Sequence, residues 1–191
     1  MCLVRDWTDP TRHLLKQLRR ISTRVLDSNP WWKYLHDRYF QPDGTEGDYY
    51  YIQTPGSVAV IPVFADGRLL LLNQYRYLNQ RECIEFPGGG VQAGMSAEET
   101  ARLELKQEAG IIATTITWIG AFNPMNGATD ELCNVFVAEG LDEGPAEPEA
   151  TEEFEPLVVT RDELEHLIRN GTIWDGMTLA SFSMYRATRD K

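Results

Sequence analysis

Positive charge is scarce in this chain: 18 lysines and arginines stand against 29 aspartates and glutamates, a formal net charge of −11. Phosphate backbones are bound through clustered Lys and Arg, so a surface of this sign excludes a nucleic-acid polymer as the main partner. A small phosphate ligand remains compatible with it if metal ions neutralise both sides. Cysteine is scarce too. Cys2, Cys83 and Cys133 are odd in number and far apart, which fits neither a disulfide framework nor a zinc site and points to reduced thiols in a cytoplasmic protein. No apolar run approaches the length of a membrane span. The polar start MCLVRDWTDP lacks the apolar core of a signal peptide. Internal repeats and low-complexity tracts are also missing. What is present, 191 residues of which 42% are hydrophobic, suffices for one soluble domain with a full core and a small N-terminal extension.

The pattern of apolar residues predicts the elements. Leu14, Leu15, Leu18, Ile21, Val25 and Leu26 share one face at helical spacing, with Arg12, Lys16, Arg19, Arg20 and Arg24 largely opposite, so Pro10 to Ser28 reads as a helix. Such a basic amphipathic helix can lie on a membrane, but packing against the acidic body is the simpler expectation. Strands are expected at Trp31 to Phe40, Tyr49 to Gln53, Ser57 to Phe64 and Arg68 to Gln74, the last two joined by an Asp66-Gly67 turn. Further strands are expected at Thr115 to Phe122, Glu131 to Ala138 and Leu157 to Thr160, and helices at Asp162 to Asn170 and Met177 to Ala187. The stretch from Asp142 to Glu155 is acidic, contains proline and has no apolar period, so it reads as an exposed loop. Strands, one helix, strands, then helices do not alternate as in a doubly wound parallel sheet. The fold class expected is α/β (α+β), a mixed β-sheet sandwiched between α-helices, with an N-terminal helix and antiparallel strands as an extension.

Chemistry concentrates in EFPGGGVQAGMSAEETARLELKQEAGI, from Glu85 to Ile111. Three glycines after Pro87 let the backbone approach a ligand closely. Ser96 and Glu99 form a capping box, which starts a helix from about Ala97 to Ala109, and Gly110 ends it. Glu104 and Glu108 stand one turn apart and repel unless a cation lies between them. Hard divalent cations take carboxylate oxygens, and Mg²⁺ commonly combines one or two of them with substrate phosphate. On spacing alone, two exposed surface glutamates are the better explanation of the pair, since most carboxylates at this spacing are merely exposed.

The same stretch resembles the Nudix box, G-x5-E-x7-R-E-U-x-E-E-x-G-U with U aliphatic. With Gly89 as the first glycine, Glu104, Leu105, Glu108, Gly110 and Ile111 fall on their pattern positions without a gap. Three positions depart: Met95 stands for Glu, Leu103 for Arg, and Gln107 for the first Glu of the Glu-Glu pair. The flanking run PGSVAVIPVFADGRLLLLNQYRY, the C-terminal DELEHLIRNGTIWDGMTLASF and the loop GAFNPMNGATDE are similar to the ADP-ribose pyrophosphatase branch of the Nudix hydrolases. In that loop Gly127, Asp130 and Glu131 keep the matching distances, while Asn126 replaces a proline.

The resemblance implies an N-terminal segment, 1–53, serving dimerisation and substrate binding, and a Nudix hydrolase domain, 54–191. It implies Mg²⁺ (or Mn²⁺) held at Gly89, Glu104 and Glu108, with Gln107 offering a neutral oxygen, and catalysis through Glu104, Glu108 and Glu131 as the proton acceptor. Arg76, Glu85, Trp31, Trp32 and Gly127 are the expected substrate contacts: a guanidinium suits phosphate, and aromatic rings suit a base, although Trp31, Trp32 and Tyr34 equally suit packing in a core or a dimer. The expected reaction is attack of water on the diphosphate of ADP-ribose or a related nucleoside-diphosphate sugar, giving a nucleoside monophosphate and a sugar phosphate. The alternative is a weakened Nudix-fold protein that binds a nucleotide without efficient cleavage, because Leu103 and Gln107 remove a paired Arg and Glu together. Losing both partners avoids stranding one charge, yet it removes an anionic ligand. The dense aromatics from Trp31 to Tyr51 point to a homodimer.

Overall fold

A computed structural model of the chain describes residues 15–148 and 152–189. In chain order its strands are β1 (Arg20–Ser28), β2 (Lys33–Phe40), β3 (Glu46–Gln53), β4 (Ser57–Pro62), β5 (Leu69–Arg76), β6 (Arg81–Glu85) and β7 (Gly88–Gly90). Helix α1 (Ala97–Ala109) follows, then β8 (Ile111–Phe122), β9 (Cys133–Glu143), β10 (Glu155–Val159), α2 (Arg161–Arg169) and α3 (Gly176–Arg189). The strands form a mixed four-stranded sheet in the order β7-β4-β9-β8 and two three-stranded sheets, β10-β5-β6 and β1-β2-β3. Strands β4 and β9 pair in parallel, their first residues Ser57 and Cys133 side by side.

Alternation along the central strands divides the core in two. Val58 and Val60 of β4 and Phe136 and Ala138 of β9 point to one face, where they meet Leu70 and the Ala101 and Leu105 face of α1. Ile61, Val135 and Val137 point to the other, where they pack with Leu69, Leu71, Leu164, Phe182 and Tyr185. A sheet apolar on both sides needs a cover on each, and α1 on one side and α2 with α3 on the other supply it.

The N-terminal helix expected over Pro10 to Ser28 is not what forms. Residues 10–14 lie outside the described residues, and Arg20–Ser28 is strand, paired antiparallel with β2 through Arg24↔His36 and Val25↔Leu35. Ile21, Thr23 and Val25 are β-branched at every second position, which suits a pleat as well as the leucines suit a helix. The edge offered by the β2–β3 hairpin decides between the two periods. Trp31 and Trp32 belong to the turn before β2, where the Asn29 Oδ1 accepts both of their amides at 2.9 Å. Strands β6 and β7 were not expected, since both are short and β7 consists of glycines alone. Strand β9 runs on to Glu143, into the stretch expected to be loop.

Helix α1 begins and ends as its sequence predicts. Ser96 and Glu99 cap it reciprocally, and Gly110 closes it in the left-handed region at φ 66°. Gly110 has a second role. Its carbonyl accepts Gly144 N–H at 2.7 Å, the Gln107 carbonyl accepts Glu147 N–H at 2.9 Å, and a Cβ at position 110 would collide with the Gly144 carbonyl. The segment after β9 is thereby strapped across the C-terminal end of α1. Gly110→Ala combines a left-handed alanine with that collision and should destabilise the protein by about 1–3 kcal/mol. Urea denaturation monitored by circular dichroism measures this, and an unchanged midpoint would refute the strap contact.

Candidate active site

The site starts from the glycine run. Strand β7 pairs with β4 through Val58↔Gly89 and Ala59↔Gly88, which brings its backbone against α1. A Cβ on Gly89 would lie 2.7 Å from Glu104 Oε1, so the bare glycine leaves room for that carboxylate. One turn on, Glu108 accepts Gly88 N–H at 2.8 Å and is buried. Burial pushes the Glu108 carboxyl up to about 8, and the nearby Glu104 and Glu152 carboxylates push the same way, against the Gly88 hydrogen bond and the more distant Arg76.

These groups open into a cleft of about 750 Å³. The structure gathers nine of the residues singled out in the sequence along its walls: Trp31, Trp32, Arg76, Glu85, Gly89, Glu104, Gln107, Glu108 and Glu131. Arg76 closes β5 and Glu85 closes β6. Arg76 Nε donates to Glu85 Oε1 at 2.8 Å and its Nη2 to Oε2. That hydrogen-bonded pairing raises the Arg76 guanidinium above its ordinary value despite partial burial. Arg76 therefore faces the cleft as half of an ion pair, not as a lone phosphate clamp.

Glu131 stands where the chain enters β9, and its Oε1 accepts the Ser57 hydroxyl at 2.6 Å. The loop before it is clipped to β3. Asp130 carboxylate oxygens accept Thr54 N–H at 3.1 Å and Gln53 Nε2 at 3.2 Å, Ala128 and Ile52 share a backbone bond of 2.9 Å, and the Tyr49 hydroxyl donates to the Gly127 carbonyl at 2.8 Å. Gly127 was expected to contact substrate. Its carbonyl accepts the Tyr49 hydroxyl, which ties the loop to the N-terminal sheet.

Glu152, Asp175 and Thr178 are among the cleft residues that the sequence did not single out. Glu152 arrives from the acidic strap, where carboxylates are too crowded in sequence to single one out. Asp175 and Thr178 come from the start of α3, with Asp175 Oδ2 accepting Thr178 N–H at 2.7 Å as a helix cap. The Asp-x-x-Thr spacing was the available signal. Among the described lining residues, six carboxylates (Glu85, Glu104, Glu108, Glu131, Glu152, Asp175) face one guanidinium, Arg76. Hard oxygen donors in such excess fit Mg²⁺ or Mn²⁺ in kind. They stand around the cleft, and among the described residues no three acidic, histidine or cysteine side chains are spaced to close on a single ion.

The fold and the acid-lined cleft define a hydrolase class, and comparison with known proteins identifies it. The NUDIX domain model matches residues 53–182, and the chain belongs to that family, the Nudix hydrolases. An ADP-ribose pyrophosphatase of Bacillus subtilis (strain 168) is 32% identical over 139 residues, 72% of this chain and 75% of the relative. A methanol dehydrogenase activator of Bacillus methanolicus is 29% identical over 163 residues, 84% of this chain and 88% of the relative. The crystal structure of an ADP compounds hydrolase shares the fold with a TM-score of 0.78 at 18% identity, over 92% of this chain and 96% of that one.

The Glu108 environment sets a pH dependence. An unfolded chain ionises this carboxyl near the ordinary glutamate value of 4.5, whereas burial in the folded protein holds the proton up to about 8. Across that window the folded state binds more protons, so the stability of the metal-free protein falls as pH rises from about 4.5 to 8. Glu108→Gln keeps an acceptor for Gly88 N–H and removes the ionisation. In excess chelator at pH 8 it should melt higher than the parent, with the difference shrinking toward pH 5. Parallel melting curves for the two proteins across this range would refute it.

Proposed function

We propose that the cleft hydrolyses the diphosphate bond of a nucleoside-diphosphate sugar, with ADP-ribose the leading candidate, releasing a nucleoside monophosphate and a sugar phosphate. The observation that carries this reading is the six-to-one excess of carboxylates over guanidinium in a cleft walled by the glycine run and α1. A diphosphate cannot enter such a field without divalent cations, and the similarity to an ADP-ribose pyrophosphatase supports a nucleoside-diphosphate sugar as the class of diphosphate. Glu104, Glu108, the Gly89 carbonyl and the Gln107 side chain are the groups to hold Mg²⁺ or Mn²⁺. When bound, the metal neutralises phosphate oxygens and polarises the attacking water.

The chain's own residues do the rest. Glu131, held by Ser57, accepts the proton of the attacking water, with Glu152 on the facing strap the second candidate for that task. The Arg76–Glu85 pair presents donors and acceptors fixed in one plane and orients the sugar-phosphate end. Trp31 and Trp32, at the cleft mouth, stack on the base. A second reading, binding without efficient cleavage, is favoured by Leu103 and Gln107, which leave the helix one anionic ligand short.

Calorimetry and product analysis with ADP-ribose, ADP-glucose, GDP-mannose and ATP, with and without Mg²⁺, separate the two readings. Mg²⁺-dependent cleavage of ADP-ribose ahead of ATP is expected; binding without product selects the second reading, and preference for ATP or GDP-mannose overturns the substrate class. Glu104→Gln and Glu108→Gln should each lower turnover by about 100-fold or more. Leu103→Arg with Gln107→Glu should raise it, and tighten Mg²⁺, more than either alone. Activity equal to the parent in both glutamate variants would remove the metal assignment, and a double variant with unaltered metal affinity would show that positions 103 and 107 do not limit the site.

The working unit we propose is a homodimer in the cytoplasm. Strand β1 is exposed along its whole length and has no partner on its outer edge among the described residues, and Val25, Trp31, Tyr34 and Tyr50 are exposed on the same sheet and its turn. An open edge beside apolar surface is a template for association. No helix among the described residues is long and apolar enough to cross a membrane. Light scattering at micromolar concentration should give twice the chain mass of 21.8 kDa, and a monomer mass would count against the dimer.

A further inference from the structure

Ser57 was not expected to have any role, and its surroundings give it one. It is the first residue of β4 and is buried. Its amide donates to the Leu132 carbonyl at 3.0 Å, which ties β4 to the chain immediately after Glu131. Its hydroxyl donates to Glu131 Oε1 at 2.6 Å. Cys133 is its register partner across the parallel β4–β9 pair. Cys133 is fully buried, and burial raises its thiol to about 11, so it adds no charge beside Ser57 at neutral pH.

Ser57 has a single hydroxyl hydrogen, and it goes to Glu131. We propose that Ser57 is a positioning residue that holds the Glu131 carboxylate in one orientation at the cleft wall. Glu131 sits at the end of a loop and would otherwise be free to turn among several rotamers. A short, charge-assisted bond from a buried strand residue removes that freedom. The inference rests on the proton-accepting role proposed above for Glu131, and Ser57 itself touches no reacting atom.

The test uses the full chain with Mg²⁺ and ADP-ribose. Ser57→Ala should lower kcat about tenfold, the scale of one hydrogen bond to a charged group, with little change in KM. Ser57→Thr, which keeps the hydroxyl, should restore most of the loss. The double variant Ser57→Ala, Glu131→Gln should be no slower than Glu131→Gln alone, since the serine acts only through that carboxylate. A crystal structure of Ser57→Ala supplies a readout independent of turnover: the Glu131 carboxylate should leave its position or occupy more than one. If that carboxylate is unmoved, or if Ser57→Ala keeps the parent kcat while Glu131→Gln is inactive, the positioning role is overturned and the role of Glu131 stands. If Glu131→Gln turns over at the parent rate, the role of Glu131 falls, and the catalytic consequence of Ser57 falls with it. A displaced carboxylate in that case would show a contact that is structural only.

Discussion

The close approach of the β7 backbone to α1 is the constraint on which the rest of the site depends. Three glycines let β7 pair with β4 on one side while leaving space on the other for Glu104, whose carboxylate lies against Gly89. The same approach supplies the Gly88 N–H that fixes Glu108. A side chain at position 88 would collide with the Val58 carbonyl, and one at 89 with Glu104, so any larger residue must displace either the sheet edge or the helix. Strand pairing, helix docking and the placement of two carboxylates are thus consequences of one packing geometry.

That geometry puts charge where a stable fold would not choose to have it. Glu108 is buried beside other carboxylates and is held partly protonated near neutral pH, an arrangement that lowers the stability of the metal-free protein. The strap that carries Glu152 adds to the field, and it is tied down by backbone bonds to the C-terminal end of α1 and by the Lys106–Glu147 ion pair at 3.8 Å. A divalent cation with a phosphate ligand would relieve negative charge of this kind, so under the proposed function the strain at Glu108 and the binding of metal and diphosphate share one electrostatic origin. Leu103 removes one cation and Gln107 one anion relative to the motif, leaving the net charge of the helix as it would be with Arg and Glu.

The N-terminal sheet works as scaffolding for the opposite wall. Tyr49, Ile52, Gln53 and Thr54 bind the loop that leads to Glu131, and the Asn29 turn brings the two tryptophans to the cleft mouth. The aromatic strands therefore contribute to the site twice, once by contact and once by holding a loop. Their exposed edge belongs to the same sheet, so association through it would bear directly on the cleft.

Local information in the sequence was enough to determine α1, its capping box, its glycine terminator and the facing of Glu104 and Glu108, because each depends on residues within one or two turns. The gapless motif and its flanking resemblance also pointed to the cleft residues of the box and to Arg76 and Glu85, since an uninterrupted motif keeps residue spacing. Tertiary structure alone decided the rest. Arg20–Ser28 satisfies both a helical and a strand period, and only the hydrogen-bonding edge of the neighbouring β2 selects the strand. Gly127 has the spacing of a substrate contact, and only the fold brings its carbonyl to Tyr49, 78 residues earlier in the chain. Glu152 is one acid among many until the strap crosses α1. Ser57 gained its partner only when a parallel pairing set it beside Cys133 and Glu131, 74 residues away, a juxtaposition that no local pattern encodes.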